Sequence, residues 1–150
     1  MAISQAMVTS FKVEILNGIH AFGTTVTRGS TAADTFRIAL FTSAATLGAS
    51  TTTYSSSNEV PNGSGYTTGG QTLTVSQVPT STSTTAWLDF DDVTWTTATI
   101  TANGALIYNS TQNDKAVAVL AFGGDKSSTA GNFTIQFPAA NSTSAIIRIA

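Results

Sequence analysis

From Asp34 onward the apolar residues of this chain recur at every second position, the spacing that sets side chains on one face of a pleated strand. Phe36, Ile38 and Leu40 alternate with Arg37, Ala39 and Phe41, which predicts a strand with one apolar and one mixed face. Further short segments read the same way: Leu73 with Val75, Trp87 with Leu88 and Phe90, 98–101, 105–108, 116–122, Phe133 with Ile135 and Phe137, and 145–149. Turn signals separate them at Asn103-Gly104, Asn113-Asp114, Gly123-Gly124-Asp125 and Pro138. About eight short strands at fairly even spacing predict a mainly β chain, a β-sandwich or jelly roll. The 116–122 segment (AVAVLAF) is apolar on both faces, as a central strand is when a helix or a second subunit covers it.

One stretch has a helical period instead. Over 4–19, Met7, Val8, Phe11, Ile15 and Ile19 form an apolar stripe that leaves out Lys12 and Glu14, with Ser4 as N-cap and Asn17-Gly18 as the stop. The expected organisation is an N-terminal α-helix and connector over 1–22, His20 and Phe22 opening the connector, then a β-sandwich domain over 23–150. The stripe packs either on the chain's own sheet or on a partner protein, which makes Met7, Phe11, Ile15 and Ile19 candidate partner contacts. Residues 43–70 carry Ser, Thr and Gly with no sustained period and read as a long loop, a kind of segment that is often functional. Within it Tyr54 and Tyr66 are the candidates for exposed contact, whereas Trp87 and Trp95 lie in or beside strands and read as core.

The polar surface of such a fold has to be made of hydroxyls. The chain has 17 Ser and 28 Thr among 150 residues, while charged residues reach 9%, against roughly 25% in ordinary soluble domains. Lys12, Arg28, Arg37, Lys115, Lys126 and Arg148 are too few and too scattered to neutralise a run of phosphates, so nucleic acid is not an expected partner. A net charge of −2 gives little repulsion between copies and points to assembly. The absence of cysteine removes disulfides, thiol catalysis and thiolate metal sites. No apolar run approaches the roughly 20 residues of a membrane span. The first residues lack a basic n-region and an unbroken apolar core, so the expectation is a chain made and kept in the cytoplasm until something else releases it.

No catalytic pattern emerges, and the chain is expected not to be an enzyme. His20 is the single histidine, no G-x-S-x-G elbow occurs, and GSGYTTGG at 63–70 lacks the lysine of a phosphate loop. Asp89, Asp91 and Asp92 form the one acidic cluster; it lacks the Gly and Glu of an EF-hand loop and alternates across a strand, so it reads as a solvated strand end. No cofactor and no metal are expected. The sequons at Asn62, Asn109, Asn132 and Asn141 match what chance gives a chain this rich in hydroxyls.

Three stretches carry a resemblance that covers most of the chain: FKVEILNGIHAF at 11–22, TFRIALFTSAATLGASTTTYSSSNEVPNGSGYTTGG at 35–70, and WTTATITANGALIYNSTQNDKAVAVLAFGGDKSSTAGNFTIQFPAA at 95–140. They resemble a family of small virion proteins of tailed bacteriophages. The resemblance implies a structural role on the head surface or at the neck or tail, and brings no catalytic residues. The expectation is a capsid decoration (cement) protein, located in the virion, with the major capsid protein or other virion proteins and its own copies, as a homotrimer, for partners. The alternative is a tail, neck or head-fibre component that binds host glycan or receptor.

Overall fold

A computed structural model describes residues 2–8, 10, 11, 15, 19–23 and 32–149. The described elements are eight strands: β1 (Ala6–Met7), β2 (Phe36–Phe41), β3 (Gln71–Thr72), β4 (Val75–Thr82), β5 (Thr85–Phe90), β6 (Val93–Asn109), β7 (Lys115–Ile135) and β8 (Ile147–Ile149). They form two antiparallel sheets, one ordered β1-β7-β6-β2-β3 and one ordered β4-β5-β8.

The first sheet is organised by one long hairpin. β6 and β7 pair from Asn109↔Lys115 to Val93↔Ile135, and residues 110–114 close the turn with Asn113 and Asp114 both at positive φ. Near the turn the hairpin is flanked by β2, from Phe36↔Asn109 to Phe41↔Gly104, and by β1 at Val119 and Ala118. β-Branched Thr and Ile residues in β6 suit this half-buried pleated surface. Beneath it lies one apolar cluster that draws Phe36, Ile38 and Leu40 from β2, Leu106 from β6 and Val117 from β7 together with Leu88, Phe90 and Ile147 of the smaller sheet. The two sheets therefore bury their apolar faces in a common core.

The strand expected at 36–41 forms with those bounds, and Trp95 is buried as expected, with Trp87 half-buried. Two expected turns do not form. Asn103-Gly104 lies inside β6, where a side chain on Gly104 would come within 2.6 Å of the Leu120 carbonyl and 2.9 Å of Ile3. Its glycine serves a close approach of backbones. Gly123-Gly124-Asp125 lies inside β7, where four residues, 122–125, bulge opposite Asn103 and the strand then runs on. The segments expected as separate strands at 98–101 and 105–108, and at 116–122 and Phe133 with Ile135, accordingly merge into β6 and β7, while Phe137, expected in the last of these, lies beyond the end of β7.

The N-terminal α-helix expected over 4–19 is not found at its start. The start of its expected span is extended: Ile3 bridges Leu47, and Ala6–Met7 is strand β1. Hydrogen bonding to the edge of β7 overrides the helical spacing of Met7 and Val8 there. Ser10, Phe11 and Ile15 have helical backbone, but 12–14 and 16–18 fall outside the described residues, and no helix is among the described elements.

Candidate functional site

The 43–70 excursion holds most of the fold's unusual polar chemistry. It crosses the main sheet at isolated bridges, Phe41↔Glu59 and Thr53↔Lys115, and closes on itself at Gly63↔Tyr66. Glu59 is the only charged residue within it and is buried. Its Oε2 accepts a hydrogen bond from the Tyr54 hydroxyl at 2.6 Å; its Oε1 accepts from the Tyr66 hydroxyl at 2.6 Å and the Gly69 amide at 2.8 Å. The Tyr66 oxygen in turn accepts from the buried Leu40 amide at 2.9 Å, so this hydroxyl ties the loop to β2. Charge-assisted bonds of this kind are the strong ones, and a carboxylate needs several of them when water is excluded.

A second knot sits beside it. Arg37, on the mixed face of β2, donates to the Gly69 and Gly70 carbonyls at 3.1 and 2.8 Å and to the Tyr108 hydroxyl at 3.2 Å. Tyr108 donates to the same Gly69 carbonyl at 2.8 Å and stacks on Tyr54 with ring centres 4.5 Å apart. Gly70 has φ +66°, and any side chain there would overlap the Ile38 carbonyl, so the loop can lie this close to β2 only through glycine. Burial holds the Tyr54 and Tyr66 hydroxyls well above their ordinary pKa, and their bonds to Glu59 raise them further. Burial raises Tyr108 as well, with Arg37 pulling it back.

Above these knots the loop forms one wall of a cleft of about 360 Å³, lined among others by Ser43, Val60, Pro61, Asn62, Ser64, Thr99 and Asp125. The wall is fastened by the Thr99 amide, which donates to the Ser64 carbonyl at 2.8 Å. Gly65, at φ +87°, faces Ala98 so closely that a side chain there would reach within 2.7 Å of its Cα.

The candidate contact residues divide between two places. Tyr66 is buried rather than exposed, because its hydroxyl satisfies both Glu59 and Leu40; Tyr54 is half-buried against Tyr108. Phe11 is fully buried against His20 and Phe22; Met7, Ile15 and Ile19 are half-buried, the first two against the core. Phe11 and Ile15 line a crevice of about 190 Å³ with Phe22, Trp87, Ile147 and Ile149, an apolar seam between the N-terminal segment and the smaller sheet.

Among the described residues no group of three His, Cys, Asp or Glu side chains could hold a metal ion, the Asp89, Asp91 and Asp92 cluster included. Asp89 corrects the expectation of a solvated strand end, since it is buried at 1% exposure with Oδ1 accepting from the Phe90 amide. Burial raises its pKa, offset in part by backbone donors at Phe90 and Ile146. Asp92 instead caps the Phe137 amide at 2.8 Å. His20 Nδ1 lies 3.0 Å from the Asn109 amide nitrogen, which also donates to Asp34 at 2.8 Å. That amide group ties the connector to the end of β6.

The residues missed from the sequence are Glu59, Arg37 and Asp125. Glu59 carried a usable signal, as the lone charge of a hydroxyl-rich loop set between two tyrosines. Compared with models of protein families, with curated proteins and with solved structures, the chain matches none.

Proposed function

We propose that this chain is a structural protein of a bacteriophage virion, a capsid decoration (cement) protein that binds the outer head surface as a homotrimer and stabilises the shell. The observation that carries this reading is where the polar chemistry points. Glu59, Arg37 and the tyrosine hydroxyls bond inward to pin the 43–70 loop, which leaves outward a face of small uncharged hydroxyls. A pinned, weakly charged face binds by shape, with little ordering cost on association. The two sheets around one core support a β-sandwich as its architecture. The resemblance of 11–22, 35–70 and 95–140 to small virion proteins of tailed phages supports the same class.

The mechanism we assign is multivalent clamping: each copy bridges neighbouring capsid subunits, and a modest contact repeated around a trimer raises the free energy needed to separate the shell. Together with that hydroxyl face, contact is assigned to the apolar seam lined by Phe11 and Ile15, where Ile149 is 49% exposed. The second reading, a tail, neck or head-fibre component with a glycan-binding role, draws its support from the hydroxyl-lined cleft. Quantitative mass spectrometry of purified particles, referenced to the major capsid protein, separates the two. A copy number matching the capsid lattice is expected. A ratio matching the portal or tail symmetry selects the second reading, and absence from particles overturns both.

A further inference from the structure

The geometry points to the cleft beside the 43–70 loop as a binding site for a neutral saccharide, held between Asn62 and Ser64 on one wall and Thr99, Thr101 and Asp125 on the other. Its volume, about 360 Å³, falls in the roughly 300–1,000 Å³ range of small-molecule clefts.

The two strongest polar groups are each half occupied by the protein. Asp125 Oδ1 accepts from the Asn103 side-chain amide at 2.8 Å, which orients the carboxylate and leaves Oδ2 as an acceptor. Asn62 Oδ1 accepts from the Thr68 amide at 3.3 Å, which orients the side chain and leaves its NH₂ as a donor. Ser43 and Ser64 add hydroxyls that can donate or accept. The Thr99 and Thr101 hydroxyls are tied to Ala130 and Ser127 on β7, so that wall is fixed. Val60 and Pro61 supply apolar contact for the C–H face of a ring.

This set of groups selects by exclusion as well as by fit. Among the described residues no Lys or Arg lines the cleft, and Asp125 repels anions. A single carboxylate with one oxygen already engaged is a poor cage for a cation. Among the described residues no aromatic side chain lines the cleft to offer a stacking face for a nucleobase. A neutral ligand with adjacent hydroxyls uses what is left, donating to Asp125 Oδ2 and accepting from Asn62. The site is also built in advance. Gly63, Ser64 and Gly65 all hold positive φ in the first wall, and Gly123 and Gly124 do so in the bulge that carries Asp125. Of these only Ser64, at φ 50°, is not a glycine, so the glycines set the path of both walls at little steric cost and Ser64 alone is held in a left-handed conformation.

The test titrates the full chain with glucose, galactose, mannose and N-acetylglucosamine and follows backbone amide shifts by NMR. Saturable shifts at Asn62, Ser64, Thr99 and Asp125 with at least one sugar are expected. Asp125→Asn keeps the bond from Asn103 and should weaken that affinity roughly tenfold, the scale of one hydrogen bond to a charged group. Asn62→Asp keeps the acceptor for Thr68, removes the donor and should weaken it similarly; unperturbed amides elsewhere establish that both variants fold. No saturable shift in the wild type with any of the four sugars, or wild-type affinity retained in both variants, overturns the assignment. Particle copy number does not depend on Asp125, so failure here leaves the virion reading standing, and the reverse also holds.

Discussion

At the scale of single residues, several of the described ionisable groups tie one segment of the fold to another. Tyr66 illustrates how much one hydroxyl can hold, since it satisfies a buried carboxylate and a buried amide at once. Tyr66→Phe leaves the Leu40 N–H without a partner, and we expect a loss of about 1–3 kcal/mol in urea-induced unfolding. A variant as stable as the wild type would show that the loop is held by other contacts. All three tyrosines have pKa values raised above the ordinary 10.0, with burial the largest cause. Because the folded state favours the protonated phenol, this contribution to stability is complete below pH 10.0 and is lost as pH rises beyond it. Tyrosinate absorbance of the native protein should therefore rise well above pH 10.0, and return to the ordinary curve in denaturant. A native midpoint at the ordinary value for all three rings would contradict the Glu59 lock.

At the scale of elements, glycine decides what β6 and β7 become. The pairs Asn103-Gly104 and Gly123-Gly124 resemble hairpin turns, yet one sits where two backbones touch and the other where a strand bulges. Gly104→Ala should destabilise the protein by about 1–3 kcal/mol, since the added methyl meets the Leu120 carbonyl, and thermal unfolding measures it. An unchanged midpoint would mean that the hairpin gives way at no cost. Local sequence could not separate these roles, because turn, bulge and close approach all call for a residue without a Cβ. The strand at 36–41 was legible because alternation there runs unbroken into a buried face. The N-terminal stripe misled at Met7, where the spacing of a helix was overridden by pairing with β7.

At the scale of the whole molecule, two surfaces stand out against a hydroxyl-rich exterior: the cleft beside the loop, and the apolar seam that ends at Ile149. Ile149 lies on β8, an outer strand of the smaller sheet. Ile149→Lys should leave stability within about 0.5 kcal/mol, as for other exposed positions, while placing a charge on the proposed contact face. We expect its occupancy on particles to fall by at least tenfold in a binding assay with stripped heads, and full occupancy would move the contact face elsewhere.

The sequence by itself determined the class of this protein: alternation dictates strands, and hydroxyls in place of charges dictate a polar surface with little field of its own. It also marked Phe11 and Ile15 as apolar positions, and the structure packs both on the core, Phe11 fully buried. Only the tertiary structure decided which polar groups face inward. Glu59, Tyr54 and Tyr66 lie within one loop, but the lock closes only when that loop crosses β2 and meets Leu40, and Asp125 enters the cleft only because a bulge in β7 places it opposite Asn103. The reason is physical: strand formation follows from local patterns, whereas the cost of burying a carboxylate depends on partners brought from distant parts of the chain.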